Sequence, residues 1–429
     1  MPQELPAPMV VIRNGTLIDG TGAAPLPSAA LIVRDGAIDW VGPGSALPEI
    51  GGPHRTVDAG GATLLPGFID AHVHMTMQAG RINPADLVHQ PPGFGYYAAI
   101  PILRDTLAAG VTSVRDLAGL DMAVEKAVDD GIIPGPRLTL AYRALGPTGG
   151  HADFRTCCGF DAGAAMAPNG AIGMLTDGVD EALRNTREAM RQGAGVIKVM
   201  ASGGVWSPRD TPWHDGLNIA EMTAVVREAA AHGVPVAAHA QSARSIRNAL
   251  TAGVTSIEHG YEIDAEGTDM LGEQGGYLVP TLATATIPPD PEKAAPYAVA
   301  KKRKLQEHLS ENISAAIRAG VKVAMGTDAG ICPHGYNLRE LPLLVEHGMT
   351  PMGALQAGTR NAAELLGIAD RVGTLEAGKR ADIVVSAVDP LADIAALADP
   401  DAITVVLKDG VVHKDTAGIT GRPARHPAA

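Results

Sequence analysis

The stretch GFIDAHVH, residues 67–74, decides how the rest of the chain is read. From Phe68 to Val73 it has the apolar character of a buried strand, yet it carries Asp70, His72 and, just beyond, His74. Side chains two apart on a strand point to one face. Two imidazoles therefore share one side of a segment that otherwise belongs inside. They are either histidines beside a turn or half of a metal site.

Seven further apolar segments resemble this one in length: 111–117 (VTSVRDL), 137–145 (RLTLAYRAL), 195–202 (GVIKVMAS), 234–241 (VPVAAHAQ), 255–261 (TSIEHGY), 277–284 (YLVPTLAT) and 321–330 (VKVAMGTDAG). Amphipathic helical patterns over 180–192, 220–232, 243–252, 302–319 and 353–366 fall between or after them. Eight strands alternating with helices predict an α/β fold, a (β/α)8 TIM barrel over 64–368, with chemistry at the C-terminal ends of its strands. An open doubly wound sheet is the other fold with this alternation.

Outside that span the pattern changes. Asn14-Gly15, Asp35-Gly36 and Asp409-Gly410 each stand between apolar runs, which predicts hairpin turns. Residues 1–63 and 369–415 are thus expected to form one small β-sandwich domain built from both ends of the chain, followed by a Pro/Gly/Ala-rich, poorly ordered tail over 416–429.

Composition narrows the function. A formal net charge of −13 over 429 residues, with no basic stripe, argues against a nucleic-acid or membrane-surface partner. No apolar run approaches the roughly 20 residues of a transmembrane helix. The first residues show no basic-then-apolar secretion signal, and three cysteines, two of them adjacent (Cys157, Cys158), form no disulfide framework. A reduced, cytoplasmic setting is the expectation, with Cys157 and Cys158 packed inside their loop.

At the expected strand ends stand His72, His74, Lys198, His239, His259 and Asp328. Charged or half-charged groups in apolar strands are costly unless they are paired or bind a metal. Four histidines, an aspartate and a lysine at one rim point to metal binding. Lys198 repels metals as an ammonium, but burial lowers a lysine pKa and exposes a neutral amine. Such an amine can capture CO2 as a carbamate, an anionic group able to bridge two ions. The alternative is a strand-end salt bridge.

GFIDAHVH, VIKVMASGG, AAHA, IEHG and GTDAG, in this order, together with the return segment VGTLEAGKRADIVV (372–385), resemble the metal-dependent amidohydrolase superfamily over nearly the whole chain. Within it the chain is similar to the imidazolonepropionase-like group, on the branch of Xaa-Pro dipeptidases, acyl-amino-acid carboxypeptidases and ochratoxin-hydrolysing amidohydrolases. The resemblance implies two divalent metal ions, Zn2+, a carboxylated Lys198 and a homo-oligomer, often an octamer. His72, His74 and Asp328 would hold the more buried ion, His239 and His259 the other, with Lys198 between them. Single-metal imidazolonepropionases lack the bridging lysine, so Lys198 favours the two-metal branch.

The mechanism expected is attack by a metal-bridging hydroxide, with Asp328 moving its proton to the leaving nitrogen. The resemblance implies that His151, in the glycine-rich loop GPTGGHADFR (146–155) after the third strand, donates to the carbonyl oxygen; the alternative is an ordinary loop histidine. His89, His214, His308 and His347 lie away from the strand ends and are expected to be solvated.

Loops 146–178, 203–218 and 331–340 would wall the pocket. Trp206 and Trp213 could pack a bulky acyl group or cover the barrel edge. Arg155, Arg209 and Arg244 are candidate partners for a substrate carboxylate, or surface salt bridges, and Asn337 is a further candidate contact. Gln241 stands where many relatives on this branch carry a tyrosine that helps hold the substrate carboxylate. The function expected is hydrolysis of the amide between an acyl group and an amino acid with a free carboxylate: an N-acyl amino acid, a dipeptide or an ochratoxin-like amide. Hydrolysis of a cyclic amide or lactam on the same metals, and a catalytically silent barrel that only binds, are the alternatives.

Overall fold

The computed structural model describes residues 9–77, 91, 93–161, 172–288 and 294–420. His89, part of the loop 146–178 and residues 421–429 of the tail lie outside them.

Both ends of the chain meet in one mixed, eight-stranded sheet. Its strands run in the order Val411–Asp415, Ile403–Lys408, Ile383–Ser386, Thr63–Pro66, Met9–Leu17, Leu26–Arg34 and Ala37–Pro43, with His54–Asp58 pairing parallel to Met9–Leu17. Hydrogen bonding is continuous across all eight, and the residues of one face, from both ends of the chain, pack on one another. Alternation decides its faces. Leu31, Val33, Leu64, Ile383, Val385, Val405 and Leu407 fill one core, while their neighbours Leu65, Val384 and Val406 pack on the larger α/β unit.

Two of the three turn dipeptides behave as expected. Asp35-Gly36 (φ +50°, +79°) and Asp409-Gly410 (φ +50°, +73°) close hairpins, since positive φ at both central residues matches the strand twist. Asn14-Gly15 does not. It lies inside Met9–Leu17, where the pairing register with Leu26–Arg34 shifts between Ile12 and Gly15, a bulge. A Cβ on Gly15 would lie 2.5 Å from Leu64 Cγ, so the glycine serves close packing. The tail also starts later than expected: Thr416 N still donates to Thr404 O at 2.9 Å.

The middle of the chain forms two all-parallel sheets. One contains Phe68–Val73, Val111–Asp116 and Arg137–Leu140. The other runs Gly173–Leu175, Ala144–Gly146, Ile197–Met200, Val236–Ala240, Ser256–His259, Tyr277–Val279 and Lys322–Val323. Backbone hydrogen bonds join the two sheets: Gly195 N, just before Ile197–Met200, to Leu140 O (2.9 Å) on one side, and Ala71 N to Met325 O, Asp328 N to His72 O and His74 N to Ala329 O (each 2.8 Å) on the other. Val111–Asp116 is buried along its whole length, as parallel strands covered on both faces are.

Each of the eight expected segments contributes a strand, with differences in extent. RLTLAYRAL divides at Tyr142, whose φ of +66° breaks the ladder. YLVPTLAT is extended only to Val279 and then enters the short helix Leu282–Thr286. The strand Gly173–Leu175 and the helices Phe94–Ala108, Met122–Asp129 and Ala265–Glu273 are additions. Helices begin promptly after the strands because caps are in place. Asn218 and Ser242 close capping boxes on Ile219–Ala230 and Ala243–Ala252, satisfying N–H groups that would otherwise be orphaned. No helix among the described residues is long and apolar enough to cross a membrane.

Candidate metal centre

Strand ends deliver the site. His72 closes Phe68–Val73 and His74 follows it; Lys198 lies in Ile197–Met200, His239 in Val236–Ala240, and His259 ends Ser256–His259. Asp328 follows Lys322–Val323, its N–H bonded to His72 O. His259 (φ +70°) and Asp328 (φ +57°) both adopt the left-handed region, as does Thr281 (φ +49°) behind His259. That conformation costs of order 1–3 kcal/mol per non-glycine residue and is retained where a site needs it.

The side chains form a continuous array. Ring centroids are 5.4 Å apart for His72–His74, 5.0 Å for His72–His259, 4.6 Å for His239–His259 and 4.5 Å for His151–His239. His72 Nε2 and His74 Nε2 face the same oxygen, Asp328 Oδ1, at 3.6 and 3.4 Å. One ligand atom from each of these three residues falls within 4.8 Å of the others, close enough to share one ion.

The other ring nitrogens are already engaged. His72 Nδ1 meets Glu258 Oε2 at 2.8 Å and His74 Nδ1 meets Ala118 O at 3.1 Å. His239 Nε2 meets Gly203 O at 3.1 Å, and His259 Nδ1 meets Thr281 Oγ1 at 2.8 Å. A carboxylate or carbonyl accepts, so His72 and His74 carry their proton on Nδ1 and His239 on Nε2. Each keeps an unprotonated nitrogen for a metal, the arrangement that orients imidazole ligands. This donor set fits divalent ions.

Electrostatics agree with neutral imidazoles. Burial, and after it the Lys198 ammonium, pulls His74 down to about 3 and His72 well below the usual histidine range. Burial likewise depresses His239 and His259, helped by the neighbouring rings and Lys198. Lys198 itself, 1% exposed, is drawn from 10.5 to about 8 by burial, against the pull of Glu258 and Asp328. Burial pushes Asp328 up to about 7.

Behind the ligands lies a buried polar layer that the sequence reading missed. Glu258 Oε1 accepts from Arg115 Nη2 at 2.7 Å and from Ser256 Oγ at 2.6 Å, while Arg115 Nε donates to Ala71 O at 2.6 Å. Asp70, pushed up to about 6 by burial, accepts from Asn337 Nδ2 (2.7 Å) and Thr327 Oγ1 (2.6 Å). A signal for both was present, namely a charge inside an apolar strand in VTSVRDL and IEHG, which requires a partner.

Residues 63–412 match the amidohydrolase family. The chain belongs to that family. It is a hydrolase acting on amide bonds. Ochratoxinase of Aspergillus niger is 35% identical over 441 aligned positions, covering 98% of this chain and 90% of that one. Among solved structures, a prolidase complexed with N-methylphosphonate-L-proline superposes with a TM-score of 0.88 at 32% identity, over 95% of this chain and 100% of that one. A Xaa-Pro dipeptidase with methionine bound in its active site gives 0.84 at 29% identity, over 95% and 100%.

The outer candidates of this amidohydrolase fare unevenly. His151 reaches the site, stacked on His239. Gln241 is buried at the end of the His239 strand, and its Oε1 has no hydrogen-bond partner among the described residues. Trp206 is partly exposed and its carbonyl accepts from Tyr297 Oη at 3.1 Å. Trp213 Nε1 is bonded to Glu262 (2.7 Å) beneath the Lys304 ammonium. Arg155 is paired with Asp153 (3.0 Å), Arg244 with Asp215 (2.9 Å), and Arg209 donates to Arg155 O. Asn337 is 1% exposed and turned inward to Asp70. Two expectations are corrected. Cys157 and Cys158 are exposed among the described residues, on a turn closed by Gly159 N–H to Thr156 O at 3.0 Å. His347 is buried, its Nδ1 donating to Leu343 O at 2.7 Å, since it closes a helix packed against the body of the protein.

Proposed function

We propose that this amidohydrolase cleaves the amide between an acyl group and an amino acid whose carboxylate is free, with dipeptides, N-acyl amino acids and ochratoxin-like aryl amides as its substrate class. The observation that carries the reading is the placing of Lys198 and Asp328 among four imidazoles, each with a nitrogen to spare. In this reading His72, His74 and Asp328 hold one divalent ion, His239 and His259 a second, and Lys198, carboxylated by CO2, lies between them. Zinc is the metal proposed. Such ions supply an activated water at neutral pH and polarise the scissile carbonyl.

The chain's own groups do the rest. Asp328 Oδ1 is turned to the two imidazoles, which leaves Oδ2 to take the proton of the attacking water and return it to the departing nitrogen. A carboxylate oxygen left free beside the reacting water is placed to accept a proton and return it. His151 stands at the edge of the array, where it serves the carbonyl oxygen as charge builds. Gln241 Nε2 is the amide group that would donate to the substrate carboxylate, whereas Arg155 and Arg244 are already paired with Asp153 and Asp215. The relatives support the amino-acid side of the substrate, since one is an ochratoxinase and the related structures hold a phosphonate of proline and a methionine. The reading also takes the two parallel sheets as one barrel of eight strands, with Arg137–Leu140 and Ala144–Gly146 as halves of one strand and Gly173–Leu175 as an addition, joined by the hydrogen bonds between them.

The test is chromatographic detection of free amino acid from a panel of N-acyl amino acids, dipeptides and ochratoxin A, with several lactams included. Zinc-dependent release that disappears in Lys198→Ala and Asp328→Asn is expected. Turnover confined to a lactam would overturn the proposed substrate class.

A further inference from the structure

His151 belongs to a hydrogen-bonded chain that no part of the metal centre requires. Its Nδ1 lies 2.9 Å from Ser207 Oγ, and Ser207 Oγ in turn contacts Asp210 Oδ1, which also receives Gly204 N at 3.2 Å. A carboxylate oxygen only accepts, and a serine has one hydroxyl hydrogen. That hydrogen therefore goes to Asp210, and Ser207 Oγ must accept from His151 Nδ1–H. The direction of the chain is fixed from the aspartate outward.

We propose that Asp210, acting through Ser207, is the positioning residue of His151: it keeps the ring proton on Nδ1 and leaves Nε2 as the nitrogen that meets the substrate. This rests on the amide-hydrolase reading for what His151 does, but the placing of the proton stands on its own. As a bare nitrogen Nε2 accepts a proton; once protonated it donates to the carbonyl oxygen. In either state the ring is held by the same bond.

Three features mark the chain as built. Ser207 and Asp210 are 8% and 6% exposed, although they lie in a loop. A Cβ on Gly204 would come within 2.1 Å of His151 Cε1, so only glycine lets the ring lie flat against this loop and over His239. Lys301, from the helix Pro296–Arg318, donates to the carbonyls of Gly204 (3.2 Å), Ser207 (2.6 Å) and Asp210, and so clasps the segment that carries both residues. The same ammonium lies 4.0 Å from Asp210 Oδ1 and offsets its charge.

The experiment uses full-length protein with 15N-labelled histidine and reads the tautomer of His151 by long-range 15N–1H correlation, assigned by its loss in His151→Ala. Wild type is expected to carry the proton on Nδ1, and Ser207→Ala to move it in part to Nε2. Kinetics on any amide that is turned over form the second arm. Ser207→Ala and Asp210→Asn should lower kcat about tenfold or more with little change in KM, and Ser207→Thr should restore it. In the His151→Ala background neither change should reduce activity further. An unchanged tautomer in Ser207→Ala, or losses that add in full to that of His151→Ala, would overturn the proposal. If wild type cleaves none of the amides, the amide-hydrolase substrate class fails while the tautomer measurement still decides the relay.

Discussion

Glu258 is the residue on which the metal centre leans most heavily without itself being a ligand. It takes three hydrogen bonds, from His72 Nδ1 (2.8 Å), Arg115 Nη2 (2.7 Å) and Ser256 Oγ (2.6 Å), and it is fully buried. Every neighbour is a donor, so only a group with two accepting oxygens satisfies them all. Glu258→Gln keeps the shape but turns an NH2 toward either His72 or Arg115 and removes the counter-charge of a guanidinium that is 1% exposed. Breaking a buried pair from one side costs about 3–5 kcal/mol. With an unfolding entropy of about 2.1 cal/mol/K per residue over a chain of this size, that is a fall in Tm of roughly 3–6 °C. Loss of the carboxylate behind His72 should weaken metal binding about 10–100-fold.

The two effects separate in a second variant. Glu258→Leu with Arg115→Met removes both charges, and replacing a whole buried pair by apolar groups is often neutral. Stability should then recover in large part while metal affinity stays low, because His72 still lacks its acceptor. Melting of metal-free protein by circular dichroism, and metal competition against a chromophoric chelator, measure the two quantities. A Glu258→Gln protein that melts within a degree of wild type and binds metal unchanged would refute the reasoning.

Three further outcomes are expected. Chelation should abolish amide hydrolysis, and zinc with bicarbonate should restore it in wild type but not in Lys198→Ala, as followed by amino-acid release. Asn337→Ala should cost about 1–3 kcal/mol of stability through the lost bond to Asp70, with KM unchanged, whereas a raised KM would put Asn337 in the pocket. Glu340 is pushed up from 4.5 to about 8 by burial, against the Ala283 and Leu282 N–H groups that point at it. An acid whose folded pKa is raised holds its proton more tightly when folded, so its contribution is complete below about pH 4.5 and is lost as pH rises toward 8. The Tm of wild type relative to Glu340→Gln should therefore fall between pH 5 and 8, and a rise would show that the two backbone donors outweigh burial.

Much of this protein was legible in one dimension. The periodicities of 2 and 3.6 are local, so the eight parallel strands and most of the longer helices could be read from spacing alone. The candidate ligand residues could be read because charge in an apolar strand is expensive wherever the strand goes. Asn14-Gly15 was misread for the same reason that Asp35-Gly36 was read correctly: the dipeptide permits positive φ, and only the neighbouring strands decide between a turn and a bulge. The partners of Asn337 and Arg155, Asp70 and Asp153, could not be read from the sequence, because they meet only in the fold.

By itself, then, the sequence determined which segments are strands and which of them carry charged or imidazole side chains inside, because both follow from nearest neighbours along the chain. Only the tertiary structure decided which nitrogen of each histidine is free, that Glu258 and Arg115 stand behind His72, and that Ser207 and Asp210 reach His151. Those facts depend on hydrogen bonds between residues as much as 186 positions apart, and direction in a hydrogen bond exists only once donor and acceptor face each other.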